Sequence, residues 1–390
     1  MASTSASALA TLETVVSNAL TLIAQLETAI TTPPPAPSTP PRTTTTNTPD
    51  PLLLAHDSAT LIKAHSTKIS LLIINSPFTP SAITTVLREL LTGPLPALAS
   101  SVQLCTAARY TTTISTDLSW RCVRVLKELT ELISKIPKDG KILTDEKKNA
   151  SLGGGAGGGK GSIAATAVLW AACDEVVGFA KRGFAGNLMG KVEEFRDTLK
   201  DVMEELREWG EEEGSDDEDE DEEDDDDEDD DDVVVEGVTE GLKNATLEGT
   251  DNTQAMLDEW MSSQRHIPRD DPDKIRERLE SCLRKLRLMT LLYQATVKRR
   301  LKILGQQPPE DSTIPGRLDE VMTLLKRIPD RFSNVALAFY ELDPVEIDRL
   351  MDQCFFDAFA VSELLFLQWD GQKDEFSDWA LKFQVEIKKA

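Results

Sequence analysis

The chain has 390 residues, enough for two domains of ordinary size, each able to bury a core. Its formal net charge is −26, but seventeen acidic side chains stand in one unbroken run from Asp216 to Asp232. Taking them out of the 68 acidic residues leaves 51 against 42 basic ones, a balance of only −9. The acidity is therefore local. It argues against direct binding to nucleic-acid backbones and suits basic proteins instead.

Cys105, Cys122, Cys173, Cys282 and Cys354 are far apart and include no C-x-x-C pair, the pattern of reduced thiols packed in cores, in cytosol or nucleus. The first thirty residues lack a basic segment, and "TLETVVSNALTLIAQLETAI" spaces its apolar positions as an amphipathic helix rather than a signal peptide. No stretch holds eighteen consecutive apolar residues, so no membrane span is expected.

Residues 31–51, "TTPPPAPSTPPRTTTTNTPDP", form a Pro/Thr linker that cannot pack. Beyond it, "LLLAHDSATLIKAHSTKISLLII" predicts a helix that ends before Asn75-Ser76-Pro77. Thr79-Pro80 and Gly93-Pro94 punctuate two shorter helices, about 80–92 and 95–109. A helix at about 112–136 carries Ile114, Leu118, Cys122, Val125, Leu129 and Ile133 as one buried stripe. "SLGGGAGGGKG", residues 151–161, is a flexible break. Helices follow at about 162–181 and 185–210, the second with Leu188, Val192, Phe195, Leu199, Val202, Leu206 and Trp209 in the spacing of a bundle. Carboxylates crowd its C-terminal end, where the helix dipole disfavours them, so its last turn is expected to fray.

After the run, residues 233–250 have no regular pattern, and 252–263 allow a short helix. Asp271-Pro272 then predicts the start of a helix reaching Leu304, roughly 50 Å at ~1.5 Å per residue. Its stripe is Ile275, Leu279, Cys282, Leu286, Met289, Tyr293, Val297 and Leu301. Further helices are expected at about 316–328 and 331–341, one capped by Asp343-Pro344-Val345-Glu346, and a last at about 373–388. The fold class this predicts is all-α: two helical bundles, with boundaries at 1–30, 52–210 and 251–390, joined by an acidic linker over 211–250.

Gly154 to Lys160, "GGAGGGK", fits G-x-x-x-x-G-K. A phosphate-binding loop needs a strand before it and Ser or Thr directly after the lysine, but here Gly161 follows and polar "DEKKNAS" precedes. A linker is the better reading. His56, His65 and His266 have no metal-ligand spacing, and no nucleophile–histidine pair is marked. No catalytic residue, metal or cofactor is assigned.

Between Arg265 and Leu304 stand twelve Lys or Arg against five Asp or Glu, including "KRRLK" at Lys298–Lys302. A solvated helix face is the default, and a partner surface through Lys298, Arg299 and Arg300, an import signal, or attraction to the acidic run are the sharper alternatives. The run itself reads as a spacer before a docking site. Asp216, Asp217, Glu218 and Asp232 are its candidate contact residues, and Ser215 ahead of them suits an acidophilic kinase.

Three stretches carry a family likeness: "ISLLIINSPFTPSAITTVLRELLTGPLPALASSVQLC", "AVLWAACDEVVGFAKRGFAGNLMGKVEEFRDTLKDVMEELREW" and "LDEVMTLLKRIPDRFSNVALAFYELDPVEI". They resemble the cyclin-D-binding protein family, also called GRAP and cyclin-D-interacting proteins. The resemblance implies a vinculin-type two-bundle fold without enzymatic activity. It also implies cytoplasmic and nuclear proteins that bind cyclin-type or helix-loop-helix regulators and restrain the cell cycle. No contact residue transfers, because the likeness fixes helices and not a site. A chaperone-like binder of basic proteins such as histones or ribosomal proteins, acting through the run, is the alternative.

Overall fold

The computed structural model describes residues 2–32, 49–149, 161–211, 266–308 and 313–389. The fold is all-α, and no strand occurs among the described residues. In chain order the helices are α1 Ala2–Thr31, α2 Pro51–Ile74, α3 Pro80–Thr92, α4 Pro94–Leu104, the single turn α5 Ala107–Tyr110, α6 Thr112–Ser134 and the short α7 Asp145–Asn149. They continue with α8 Ser162–Glu211, α9 Ile275–Thr296 running into a π turn at Val297–Leu301, α10 Thr313–Tyr340, α11 Pro344–Leu364 and α12 Glu375–Ile387.

Local chemistry sets most starts. Asp50 accepts the Leu52 N–H ahead of Pro51, and Asp343 accepts those of Val345 and Glu346 ahead of Pro344. Asp271 also caps, but further along than its position beside Pro272 predicts. Its carboxylate takes the N–H groups of Ile275 and Arg276, so α9 begins three residues late, after positive φ at Asp271 and Lys274.

Two expected breaks are absent, for the same physical reason. The helices expected either side of Pro329 are one helix, α10. The proline costs about 3 kcal/mol in a helix interior. Continuing the helix buries Leu325, Ile328, Phe332 and Val335 completely, at about 1.5–3 kcal/mol each. Likewise the end of α8 does not fray. Leu206 and Trp209 are buried, the latter against Phe339 and Tyr340, and this outweighs dipole penalties of a few tenths of a kcal/mol per charge. The break expected between helices at 162–181 and 185–210 is present, as a kink within α8 at Gly183, whose φ of 68° and ψ of −170° lie outside the helical region.

The described residues form two compact units. The first holds residues up to Glu194 with Tyr293–Leu324 and Leu364–Asp378; the second holds Phe195–Leu292, Leu325–Glu363 and the residues from Trp379. Within the first, α1 packs on α3 and α6, and α2 packs on α4 and α3. The stripe read from α6 is buried in full. Helices α1 and α8 each contain a window long and apolar enough to cross a membrane. In both, an apolar stripe turns inward: Leu12, Ala19 and Ile23 on α1, and Leu169, Cys173 and Val176 on α8.

Candidate partner-binding surfaces

The first surface is built on α2 and α8. Lys63 Nζ binds both carboxylate oxygens of Asp174 at 2.6 and 2.7 Å, and Thr166 Oγ1 donates to Ser70 Oγ at 3.0 Å inside the contact. One sequence position rises as the other falls, so the helices are antiparallel. Ile62, Ile69 and Ile73 from α2, and Leu169, Cys173 and Val176 from α8, fill the core beneath.

Residues three or four positions from these contacts share their side of each helix. On α2 they are Thr60, Thr67 and Ile74, and Leu53 extends that row by one more step of seven. On α8 they are Ile163, Trp170 and Val177. Both rows repeat every seven residues, the spacing of a coiled-coil seam. Leu53 is 59 % exposed, Ile163 46 % and Trp170 36 %. The Thr60 and Thr67 hydroxyls donate to His56 O and Lys63 O of their own helix. The seam thus offers apolar anchors with its threonine hydroxyls already satisfied, which is what a third amphipathic helix needs.

On the other flank of α8, Arg124 holds Glu175 through two bonds of 2.7 Å, and Arg121 lies over the Phe179 ring. This side is closed by charge pairs, with Trp120 exposed beside them.

The second surface is the basic string after α9, and here the sequence reading needs correction. Lys298 is exposed, and Arg299 meets Glu375 at 3.0 Å in an open ion pair. Arg300 is 0 % exposed. Its guanidinium grips Asp374 at 2.7 and 2.8 Å, donates to Leu365 O at 2.8 Å and stacks on Phe376, while Trp369 Nε1 donates to Arg300 O. The two bonds from Arg300 hold the Asp374 carboxyl well below the usual range, at about 2. A side chain so enclosed cannot receive a partner. Its burial was foreshadowed by spacing: Arg300 stands seven residues after Tyr293, on the helix's own apolar stripe.

Ser215, Asp216, Asp217, Glu218 and Asp232 lie outside the described residues, as do the 252–263 segment and the glycines of the phosphate-loop match. His56 pairs with its neighbour Asp57, and His65 sits 3.5 Å from Glu89 with its pKa lowered chiefly by burial. All five cysteines are free and buried; burial raises the thiols of Cys105, Cys173 and Cys354 to about 12, too high for ready thiolate chemistry. Among the described residues no group of three His, Cys, Asp or Glu is placed to hold a metal.

No curated protein matches the sequence. Residues 55–212, which include the α8 row and all of the α2 row but Leu53, match the family model described as Grap2 and cyclin-D-interacting, N-terminal, and over those residues the chain carries a domain of that family.

Proposed function

We propose that the protein is a non-enzymatic helical adaptor that takes a partner helix into the seam between α2 and α8. The partners are cyclin-type or helix-loop-helix regulators, and the output is restraint of cell-cycle progression or transcription, in cytoplasm and nucleus. One observation carries this reading: an open seam whose rows repeat every seven residues, with Ile163 and Trp170 exposed, lies, but for Leu53 at its end, within the stretch that matches a cyclin-D-interacting family. Helix-in-groove recognition uses the apolar spacing that such rows present.

The direct test is capture of a purified D-type cyclin, and separately of a helix-loop-helix domain, by the full chain in moderate salt. Binding of either that survives deletion of Asp216–Asp232 supports the adaptor. Capture of neither removes it. If histones bind instead, and only when the run is present, the reading moves to a chaperone of basic proteins, which seventeen consecutive carboxylates favour.

A further inference from the structure

The acidic run stands in the sequence where a link between two separate domains would stand. The packing on either side of it does not follow that division. Each compact unit draws on residues before Glu211 and on residues after His266.

In the first unit the chain's later part mends the kink in α8. Phe184 N donates to Gln306 O at 2.7 Å and Ala185 N to Gly305 O at 3.1 Å, supplying partners that the broken helix has lost. Asn187 completes the repair by donating to Phe179 O and Gly183 O. The fit leaves no room for a side chain: a Cβ at Gly183 would lie 2.9 Å from Gln306 O and would overlap its amide. Nearby in sequence terms, Asp319 of α10 caps α6, accepting from Thr112 N at 2.8 and 2.9 Å and from Thr112 Oγ1 at 2.9 Å.

The second unit is joined in the same way. Trp209, two residues before the end of α8, packs its ring 6.1 Å from Phe339 and 5.4 Å from Tyr340, and Tyr340 Oη donates to Glu205 at 2.7 Å. A Cβ at Gly210 would overlap the Leu279 side chain, so α8 and α9 approach with almost no space between them.

We infer that the two halves of the chain, one ending at Glu211 and the other starting at His266, bind each other tightly enough to remain one folded assembly when the peptide link through the acidic run is cut. The family-matching stretch is thus not a free-standing module; segments 293–324 and 364–378 complete the unit it builds. A protease cutting in the run would not release the family-matching stretch as a separate fragment. This inference is independent of the adaptor reading, since it concerns which segments hold together and not what they bind.

The test uses the full chain with a specific protease site inserted after Gly214. Before cleavage, the inserted protein must match the wild type in helical circular dichroism and elution volume. After complete cleavage, both fragments should co-elute at the uncut volume with helicity unchanged. Thermal unfolding of the cut protein should become concentration-dependent, because folding is now bimolecular. The elution is repeated in ~1 M salt, where screening falls to about 3 Å and attraction through the run itself is suppressed. Co-elution in both conditions sustains the inference. Separation of the fragments in either, or precipitation of one, overturns it. Binding of a cyclin bears on neither outcome, so failure here and failure of the adaptor reading are told apart.

Discussion

Two stretches of the first unit, the basic string at Lys298–Lys302 and the seam between α2 and α8, invert what a surface reading assigns them. The string is rich in charge, yet its central arginine is wholly internal. The seam is rich in apolar residues, yet Trp170, Ile163 and Leu53 stand partly open. Charge went inside because one carboxylate, three backbone carbonyls and an aromatic face converge on one guanidinium. Apolar surface stayed outside because α2 and α8 each carry a second row beside the one that fills the core. Polarity is therefore a poor guide to accessibility here; position on the helix decides it.

The largest effect expected from this contrast is at Arg300. Arg300→Ala leaves Asp374 half-enclosed without its partner and opens a space against Phe376, and should cost about 3–5 kcal/mol of stability. Arg300→Lys should recover little, since a lysine cannot make the paired bonds or the stacked contact. Urea unfolding of the three proteins checks both statements. A loss under 1 kcal/mol for the alanine variant would mean that the node is ornamental and the contrast false.

Trp170→Ala comes next, and it tests the other side. Because the ring is partly exposed, stability should change little, while partner affinity should fall by roughly 10- to 30-fold, the size expected for an aromatic anchor at about 2 kcal/mol. Titration calorimetry with whichever regulator binds the full chain reads this directly. Unchanged affinity would move the contact away from the seam.

How much of this was legible beforehand follows from what each signal measures. The buried stripe of α6 and the cap at Asp343 are local, and spacing alone finds them; the cap at Asp50 falls at the end of the stretch read as a linker. Pro329 and the carboxylates at the end of α8 misled because propensity and dipole terms are small beside the burial of Phe332 or Trp209, which no local rule counts. The α2–α8 seam was unread although its steps of seven are in the sequence. Finding it requires knowing that Lys63 meets Asp174, a pairing 111 residues apart. The division into units was equally hidden, since Gln306 and Asp319 reach α8 and α6 across long stretches of chain.

A smaller effect is confined to acid. The folded Asp374 carboxyl titrates at about 2, below its ordinary 3.8, so the folded state binds the proton less readily than the unfolded one. Its contribution is present above pH ~3.8 and is lost as pH falls towards 2. Acid unfolding followed by circular dichroism should show this slope in the wild type. Asp374→Asn should lack that part of the slope, beginning from a lower stability throughout because Arg300 is left unpaired.

The smallest effect is expected at the exposed part of the string. Lys298→Ala and Arg299→Ala together remove one open ion pair, to Glu375, and one exposed cation. Exposed pairs contribute about 0–1 kcal/mol, so the unfolding midpoint should barely move. The informative readout is partner capture at low and moderate salt. If the seam is the binding site, affinity for a captured regulator should stay within about two-fold at both salt levels, because neither residue belongs to the α2 or α8 row. A large loss at low salt that fades with added salt would mark the string as an electrostatic contact surface. The seam would then share the partner with Lys298 and Arg299, and the contrast between the two stretches would narrow to Arg300 alone.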